Sequence, residues 1–321
     1  MAYSSGGLIQ ATDYNGFAST TAGANVNDIW STGSGDKGWG QSALSTVSTG
    51  GTVTATNWAS LVNTISSMGS QTGTAITSRS APTTGTLIAV LAALNTDLTN
   101  ITTNRNNAVA VGSQYTGWTG TNSKTSTTSG SFTITFTNAV TFASAAAARH
   151  FFNGGGLIKL QTSKTSTGNF GDPEWNDLAN NIAGVIFFSG AATAHTIAGV
   201  SYTGTTKIGG TGTPTTLSTA TGFYALTPGA AATIIYKQFA DTSPYTGNFI
   251  QTTVALNAGS DVLTFVTTWV NPEGDTISGG TASVNATPGT APTAILTYTP
   301  PSTTYLTTAS WGTPTVAATT A

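Results

Sequence analysis

Residues 131–160 constrain the fold most, because three backbone patterns follow one another there. Residues 132–137 alternate phenylalanine or isoleucine with threonine, which is typical of a half-buried strand. Residues 142–152 contain four consecutive alanines and favour a helix. Asn153 and three glycines then predict the helix end, since glycine readily adopts the backbone angles of a helix C-terminus, and residues 157–160 predict a second strand. We therefore expect a sheet with a short helix packed against it.

Strand-like segments dominate the chain after residue 194 and indicate an all-β region, because they recur at about the 8–12-residue spacing of such domains. We predict strands at residues 194–202, 205–209, 221–226, 231–239, 246–256 and 262–270. The clearest pair is joined by the loop Asn257–Asp261, whose length and glycine predict a hairpin. Five prolines punctuate residues 276–321, so the strands of this tail are expected on a sheet edge or along a partner.

Two stretches before residue 106 have helical periodicity. The first is expected to begin near Thr56 or Asn57, either of which can cap it, and to end at Gly69. Its apolar face consists of Trp58, Leu61, Val62, Ile65 and Met68.

The second helix, near residues 85–104, carries a heptad seam that predicts an assembly role. The seam residues are Leu87, Leu91, Leu94, Leu98 and Ile101. They cover only about two heptads, fewer than a coiled coil usually needs. The pattern is therefore consistent with two structures: a short coiled coil that joins three or more copies, and a helical hairpin with the first helix inside one subunit.

The N-terminal residues 1–55 are rich in glycine, serine and threonine, with scattered aromatic residues. We interpret them as an extended arm whose aromatic side chains anchor it on a neighbouring surface, with an unstructured terminus as the alternative. The glycine-rich run 33–40 is not a nucleotide-binding loop, because Lys37 is followed by Gly38 rather than by serine or threonine. Residues 107–130 are again of low complexity and are interpreted as a linker.

The sequence Asp172-Pro173-Glu174 predicts the start of a helix over residues 173–183, with aspartate as the cap and proline in the first turn. Its acids are interpreted as solvated groups that complement the helix dipole, and Ca²⁺ ligation by Asp172 and Glu174 is the alternative. Arg149 lies between alanines and two phenylalanines, so we expect it to be partly buried and to bind carbonyls or a carboxylate. We expect Asp172 or Asp177 to be the partner of Arg149. We therefore expect Arg149 to specify the fold rather than to act in a functional site.

The composition excludes several classes of protein. Only 6% of the residues are charged and the net charge is −2, which gives no electrostatic basis for binding nucleic acid. The chain has no cysteine, so neither disulfides nor thiolate metal sites are available. A content of 38% apolar and 9% aromatic residues argues against disorder. We recognise neither a signal peptide nor an apolar run of about 18 residues, so a membrane partner is not expected.

The residue types that carry catalysis are scarce. His150 and His195 are the two histidines, and neither has an acid or a second histidine at a spacing typical of a catalytic or metal site. No Gly-x-Ser-x-Gly sequence marks a nucleophile. We therefore predict no catalytic residue, no cofactor-binding residue and no metal ligand.

The segment Ala148–Ile158 resembles a recurring stretch of tailed-phage virion proteins that are frequent in marine and cyanobacterial phages. In those proteins an Ala-Arg-aromatic-Phe-Asn sequence precedes a small residue, two glycines and a short strand, and Gly154 stands here where serine or alanine is common. Other parts resemble the same proteins: Gly38–Gln41, Val53–Ala55, Trp58–Asn63, Asp172–Leu178, Tyr245–Ile250 and Thr267–Val270. These stretches are spread over residues 38–270. The resemblance implies an oligomeric structural component of the tail, neck or fibre apparatus, without a catalytic residue.

The expected fold is mainly β with a few helices: an N-terminal arm and a short helical segment, followed by an antiparallel β-sandwich-like domain with one or two packed helices. The expected divisions are an arm (1–55), a helical segment (56–106), a linker (107–130), a β domain (131–270) with helices near 142–153 and 173–183, and a proline-punctuated tail (271–321).

The expected function is that of a non-enzymatic virion protein, assembled in the host cytoplasm from copies of itself, as a trimer or higher oligomer, with other virion proteins. The alternatives are capsid decoration and a receptor- or glycan-binding module of a tail fibre. In the binding module, Trp118, Tyr202 or Tyr245 would stack on sugars of the host surface. A polysaccharide-degrading fibre enzyme is least favoured, because acids outside helix starts and turns are scarce.

Overall fold

The strands form two large antiparallel sheets and one small hairpin. The structure is a computed structural model, and it describes residues 10–20, 24–84, 93–114, 119–121, 131–165, 172–272 and 292–320. Its strands are β1 (Thr119–Thr121), β2 (Phe132–Thr141), β3 (Leu157–Ser163), β4 (Val185–Phe188), β5 (His195–Ile197), β6 (Val200–Tyr202), β7 (Thr205–Ile208), β8 (Thr216–Leu217), β9 (Thr233–Phe239), β10 (Phe249–Leu256), β11 (Val262–Asn271), β12 (Thr293–Thr299) and β13 (Thr315–Thr320).

The two large sheets pack face to face as a sandwich. The first has the strand order β1-β12-β3-β4-β7 and the second has the order β13-β2-β11-β10-β9-β8, while β5 and β6 form the hairpin. Phe188 of the first sheet meets Phe265 of the second with ring centroids 5.3 Å apart. Residues from both sheets belong to one hydrophobic core, as two sheets that bury their inner faces require. The predicted mainly β fold with an antiparallel, sandwich-like domain is confirmed.

Short helices surround the sandwich. They are α1 (Ala11–Asn15), α2 (Val26–Trp30), α3 (Ala55–Thr72), α4 (Leu94–Thr103), α5 (Ala145–Asn153) and α6 (Asp172–Asp177), with π-helical turns at Gly16–Thr20 and Leu178–Ile182 and 3-10 turns at Phe223–Ala225 and Thr308–Ser310. Within the described residues, no helix combines the length and apolar character that crossing a membrane requires.

The strand, helix and strand predicted over residues 131–160 are confirmed as β2, α5 and β3. The helix begins at Ala145 because the side chain of Ser144 accepts a hydrogen bond from the backbone N–H of Ala147. Gly156 follows the helix where the ring of Phe151 leaves no room for a Cβ atom, which explains one of the three glycines. The predicted hairpin is also confirmed, with β10 and β11 paired from Phe249 with Val270 to Leu256 with Leu263.

Helix α3 is longer than predicted at both ends. Thr54, not Thr56 or Asn57, is its cap, and Asn57 completes a capping box with it. The helix passes through Gly69 and ends at Gly73, which has a positive φ of 67°. The predicted apolar face is buried as a whole.

Two predicted strands are wrong. Residues 221–226 contain the 3-10 turn Phe223–Ala225 and no strand, because the N–H groups of Phe223 and Tyr224 donate to the carbonyls of Ser189 and Gly190 rather than to a neighbouring strand. Residues 194–202 form the two strands of the β5–β6 hairpin instead of one strand.

The N-terminal residues from Gln10 onward pack on this chain's own core. Tyr14, Phe17 and Trp39 are each at most 3% exposed, and Tyr14 contacts Trp58 of α3 edge-on with ring centroids 5.6 Å apart. The aromatic residues Tyr14, Phe17 and Trp39 thus anchor the described part of the arm on its own chain, because the sandwich and α3 supply the apolar surface that they need.

The C-terminal tail contributes one strand to each large sheet. β13 is an edge strand, as expected of the tail, whereas β12 lies between β1 and β3. Pro292, Pro300 and Pro301 flank β12 without interrupting it, so its N–H groups remain available to the neighbouring strands.

Candidate functional site

Helix α5 holds the loop at residues 32–38 with its polar side chains. Arg149 donates from Nε to the carbonyl of Gly35 at 3.0 Å, and from Nη2 to the carbonyls of Thr32 at 3.2 Å and Lys37 at 3.0 Å. Asn153 donates from Nδ2 to the carbonyls of Lys37 at 2.9 Å and Gly38 at 3.0 Å. We call Arg149 and Asn153 the α5 clamp. Its targets are backbone atoms, so the clamp recognises the shape of the loop rather than its side chains.

The loop presents its carbonyls to α5 because glycines allow it to fold tightly. Gly33 and Gly38 have positive φ values of 50° and 90°, and a Cβ atom on either would collide with backbone atoms of residues 28–33 or 38. Two ion pairs also involve this loop: Lys37 pairs with Asp28, and Arg105 pairs with Asp36.

Of the two carboxylates predicted as partners of Arg149, Asp177 does not bind it. The side chain is partly buried, as expected, but its described hydrogen bonds go to carbonyl oxygens, and Asp177 is not among the partners. The loop satisfies the guanidinium because it brings several carbonyls to one place. The side chain of Asp172 lies outside the described atoms.

His150 links α5 to both terminal parts of the chain. The ring is 5% exposed, with Nδ1 3.1 Å from the carbonyl oxygen of Ser310 and Nε2 3.4 Å from that of Thr32. Beside it, Gln41 accepts hydrogen bonds through Oε1 from the N–H of Thr307 at 2.9 Å and from its hydroxyl at 3.0 Å. These contacts make His150 a buried residue that links α5 to both terminal parts of the chain.

A cleft of about 400 Å³ lies beside the α5 clamp. Its lining includes Arg149, Phe223, Tyr224, Leu226 and Pro228. The hydroxyl of Tyr224 donates to Asn153 Oδ1 at 2.6 Å, and burial raises the pKa of this phenol well above its usual value. Tyr224 is therefore a fixed hydrogen-bond donor rather than a base, and the apolar walls with one cation suit binding more than catalysis.

The described half of the heptad seam is used within the subunit. Leu94, Leu98 and Ile101 are at most 1% exposed, and α4 packs against α3. Leu87 and Leu91 lie outside the described residues. Over its described residues, α4 therefore packs against α3 as a helical hairpin, which is one of the two structures that the seam predicted.

Three carboxylates meet where α6 approaches the loop between β9 and β10. One oxygen from each of Glu174, Asp177 and Asp241 lies within 4.8 Å of the others. Glu174 is 7% exposed, so its interpretation as a solvated first-turn acid is wrong: Trp175 next to it stacks on Trp269 and draws this face of α6 onto the second sheet.

The remaining candidate groups are His195 and Tyr202, which face each other across the β5–β6 hairpin, and Lys164. His195 is 6% exposed, burial lowers its pKa, and Nδ1 lies 3.0 Å from the carbonyl oxygen of Thr193. Tyr202, proposed as a sugar platform, is 6% exposed and packs against Phe187, while Trp118 lies outside the described residues. Lys164 is 4% exposed, and burial lowers its pKa to about 8.

Sequence reasoning missed Gln41, Tyr224 and Asp241, since no local pattern marks them. Gln41 binds a residue 266 positions away and Tyr224 one 71 positions away. The importance of such residues depends on the tertiary fold, and a periodicity of two or 3.6 residues carries no information about it.

Comparisons with family models, with curated proteins and with solved structures found no match to this chain. The class of protein is therefore defined by the fold: an antiparallel β-sandwich with its N-terminal helices and loop packed on it.

Proposed function

We propose that this protein is a non-enzymatic structural component of a tailed-phage virion, in the tail, neck or fibre apparatus, that assembles as an oligomer in the host cytoplasm. The proposal rests on the contacts made by the segment Ala148–Ile158, which carries the resemblance to such virion proteins. Arg149, His150 and Asn153 in this segment all bind backbone groups of their own chain. A motif whose polar groups are engaged in this way is suited to building a rigid particle subunit.

The edge strand β13 supports self-association. Its sequence TVAATT has neither charge nor proline, the two features that usually protect sheet edges from pairing. Its outer edge pairs with no strand among the described residues. Together with a charged content of 6%, this gives a surface on which copies can pack with little cost of desolvating charges.

The experiment locates the protein and measures its mass. Gold-labelled antibodies against the purified chain should decorate tails, necks or fibres of virions from the phage that encodes it, and light scattering coupled to size exclusion should give an oligomer. Ala317→Lys in β13 should reduce the mass, whereas Ala75→Lys, at an exposed position away from the edge, should leave it unchanged. A protein absent from purified virions would contradict the proposal, and a mass unaffected by Ala317→Lys would exclude β13 as the interface.

A second candidate function, glycan binding, is favoured by the cleft beside the α5 clamp, where aromatic and apolar walls adjoin Arg149. A glycan array or saturation-transfer NMR with host polysaccharide should detect binding by the folded protein. Leu226→Trp fills the cleft and should abolish binding, while Ile234→Trp, at a position 42% exposed outside the cleft, should not. Equal binding by both variants would exclude the cleft.

A further inference from the structure

The three carboxylates between α6 and the β9–β10 loop differ in exposure and in hydrogen bonding. Glu174 is buried, Asp177 is half-buried and Asp241 is exposed. Asp177 Oδ1 accepts a hydrogen bond from Asn181 at 2.6 Å, and Asp241 Oδ1 accepts one from the hydroxyl of Thr242 at 3.2 Å. Within the part of the chain that the structure describes, no hydrogen bond is made to the second oxygen of either aspartate.

Glu174 points to a ligand independently of this clustering. Its side-chain atom Oε1 is inaccessible to solvent and accepts no hydrogen bond from the described residues, although the residue is only 7% exposed. A buried carboxylate oxygen without a partner destabilises the folded state, so such atoms are rare in folded proteins. Burial raises the pKa of this carboxyl, hydrogen bonding by Thr242 opposes the rise, and the charges of Asp177 and Asp241 raise it further. A cation at this place would satisfy the orphan oxygen and remove the repulsion.

The chemistry of the three ligand groups indicates which cation would bind. All three groups offer carboxylate oxygen, which suits hard ions such as Ca²⁺ and Mg²⁺ rather than Zn²⁺, for which nitrogen and sulfur ligands are typical. Two oxygens on opposite sides of one ion are about 4.6–5.2 Å apart for Ca²⁺ and only about 4.2 Å apart for Mg²⁺. The three oxygens lie within 4.8 Å of one another, a separation that a Ca²⁺ shell accommodates. The exposed side, at Asp241, leaves space for the water ligands that complete a Ca²⁺ shell.

We propose that Glu174, Asp177 and Asp241 form a Ca²⁺ site that ties α6 to the β9–β10 loop. Helix α6 belongs to the connection between β3 and β4 in the first sheet, and the loop joins two strands of the second sheet. The ion therefore links the two layers of the sandwich at one end. This site does not depend on a virion role, since its ligands all come from one chain.

Terbium luminescence tests the site in the full chain, because Tb³⁺ occupies Ca²⁺ sites and Trp175 is adjacent to a ligand. Excitation of tryptophan after treatment with EDTA should sensitise one equivalent of Tb³⁺, and Ca²⁺ should displace it more effectively than Mg²⁺. Asp241→Asn changes an exposed residue and should weaken binding at least tenfold. Asp28→Asn, in a partly exposed aspartate that pairs with Lys37, is the matched control and should bind as the wild type does.

Thermal unfolding gives a second readout that separates loss of the site from misfolding. Ca²⁺ at about 10 mM should raise the Tm of the wild type, because a ligand that binds only the folded state stabilises it. Glu174→Gln should keep or raise the Tm in EDTA, since it replaces the orphan carboxylate with a neutral amide, and should lose the Ca²⁺-dependent rise. A wild-type Tm unchanged by Ca²⁺, or Tb³⁺ luminescence equal in all variants, would overturn the proposal. Stronger displacement by Mg²⁺ would overturn the assignment to Ca²⁺.

Discussion

Replacing Asn153 with alanine removes the centre of the α5 clamp. The side chain is 2% exposed and makes three hydrogen bonds, to the carbonyls of Lys37 and Gly38 and from the hydroxyl of Tyr224. A net contribution of about 1 kcal/mol for each bond gives a loss of about 3 kcal/mol. Gly38 and Tyr224 then keep polar atoms in a buried environment without this partner, which raises the expected loss to about 3–5 kcal/mol. Lys37 is affected less, because its carbonyl also accepts from Arg149.

Urea unfolding followed by tryptophan fluorescence measures this loss, and hydrogen exchange shows where it acts. The N–H groups of Trp39, Gly40 and Gln41 bond to carbonyls of residues 29–31 at 2.8–2.9 Å. These amides should exchange faster in Asn153→Ala than in the wild type, because the loop before them is released. The control Asn100→Ala, on the exposed face of α4, should change the free energy of unfolding by less than about 0.5 kcal/mol.

A double-mutant cycle with Tyr224→Phe isolates one of the three bonds. The single change Tyr224→Phe should cost about 1–2 kcal/mol, and it should cost less in the Asn153→Ala background, where its partner is already absent. A loss below about 1 kcal/mol for Asn153→Ala, or unchanged exchange at residues 39–41, would refute the role of the clamp.

Three further changes test other contacts by urea unfolding. Gly40→Ala should destabilise by about 2 kcal/mol or more, because Gly40 has a φ of 71° and a Cβ atom there would overlap the ring of His150; a neutral effect would contradict this close approach. Asp97→Ala should cost about 3–5 kcal/mol, because it leaves Arg79, whose side chain is 6% exposed, without its carboxylate; a loss near zero would show that the pair is not needed. The pKa of Lys164 falls from 10.5 to about 8 on folding, so between these pH values the unfolded chain holds a proton that the folded chain has released. The free energy of unfolding of the wild type relative to Lys164→Met should therefore rise with pH across this window, and a fall would contradict the burial of the amine.

Local sequence patterns predicted the secondary structure correctly where residues that are close in the sequence are also close in the structure. The strand, helix and strand at residues 131–160 and the hairpin of β10 and β11 depend on side-chain alternation, a capped helix and a short loop, all of which a linear sequence displays. The same reasoning failed at residues 221–226, where apolar residues resemble a strand but the backbone bonds to the end of β4.

The candidate sites depend on contacts that no local pattern encodes. Glu174 has the sequence context of a solvated helix acid, and its burial follows only from the stacking of Trp175 on Trp269. Arg149 was expected to bind carbonyls or a carboxylate, and the carbonyls come from a loop more than 100 residues earlier in the chain, which no local pattern indicates. The heptad seam was compatible with two structures, and the choice for its described half follows from the position of α3.

The contact between Gln41 and Thr307 has a consequence for synthesis. The two residues are 266 positions apart, and at about 5–20 residues per second a ribosome needs roughly 13–53 s to make the chain between them. During this time the hydrophobic core to which Trp39 belongs lacks Leu306 and Trp311. β12, the neighbour of β3 in the first sheet, also emerges late. The nascent chain therefore exposes apolar surface until its last strands appear, and this surface is open to aggregation or to chaperone binding during translation.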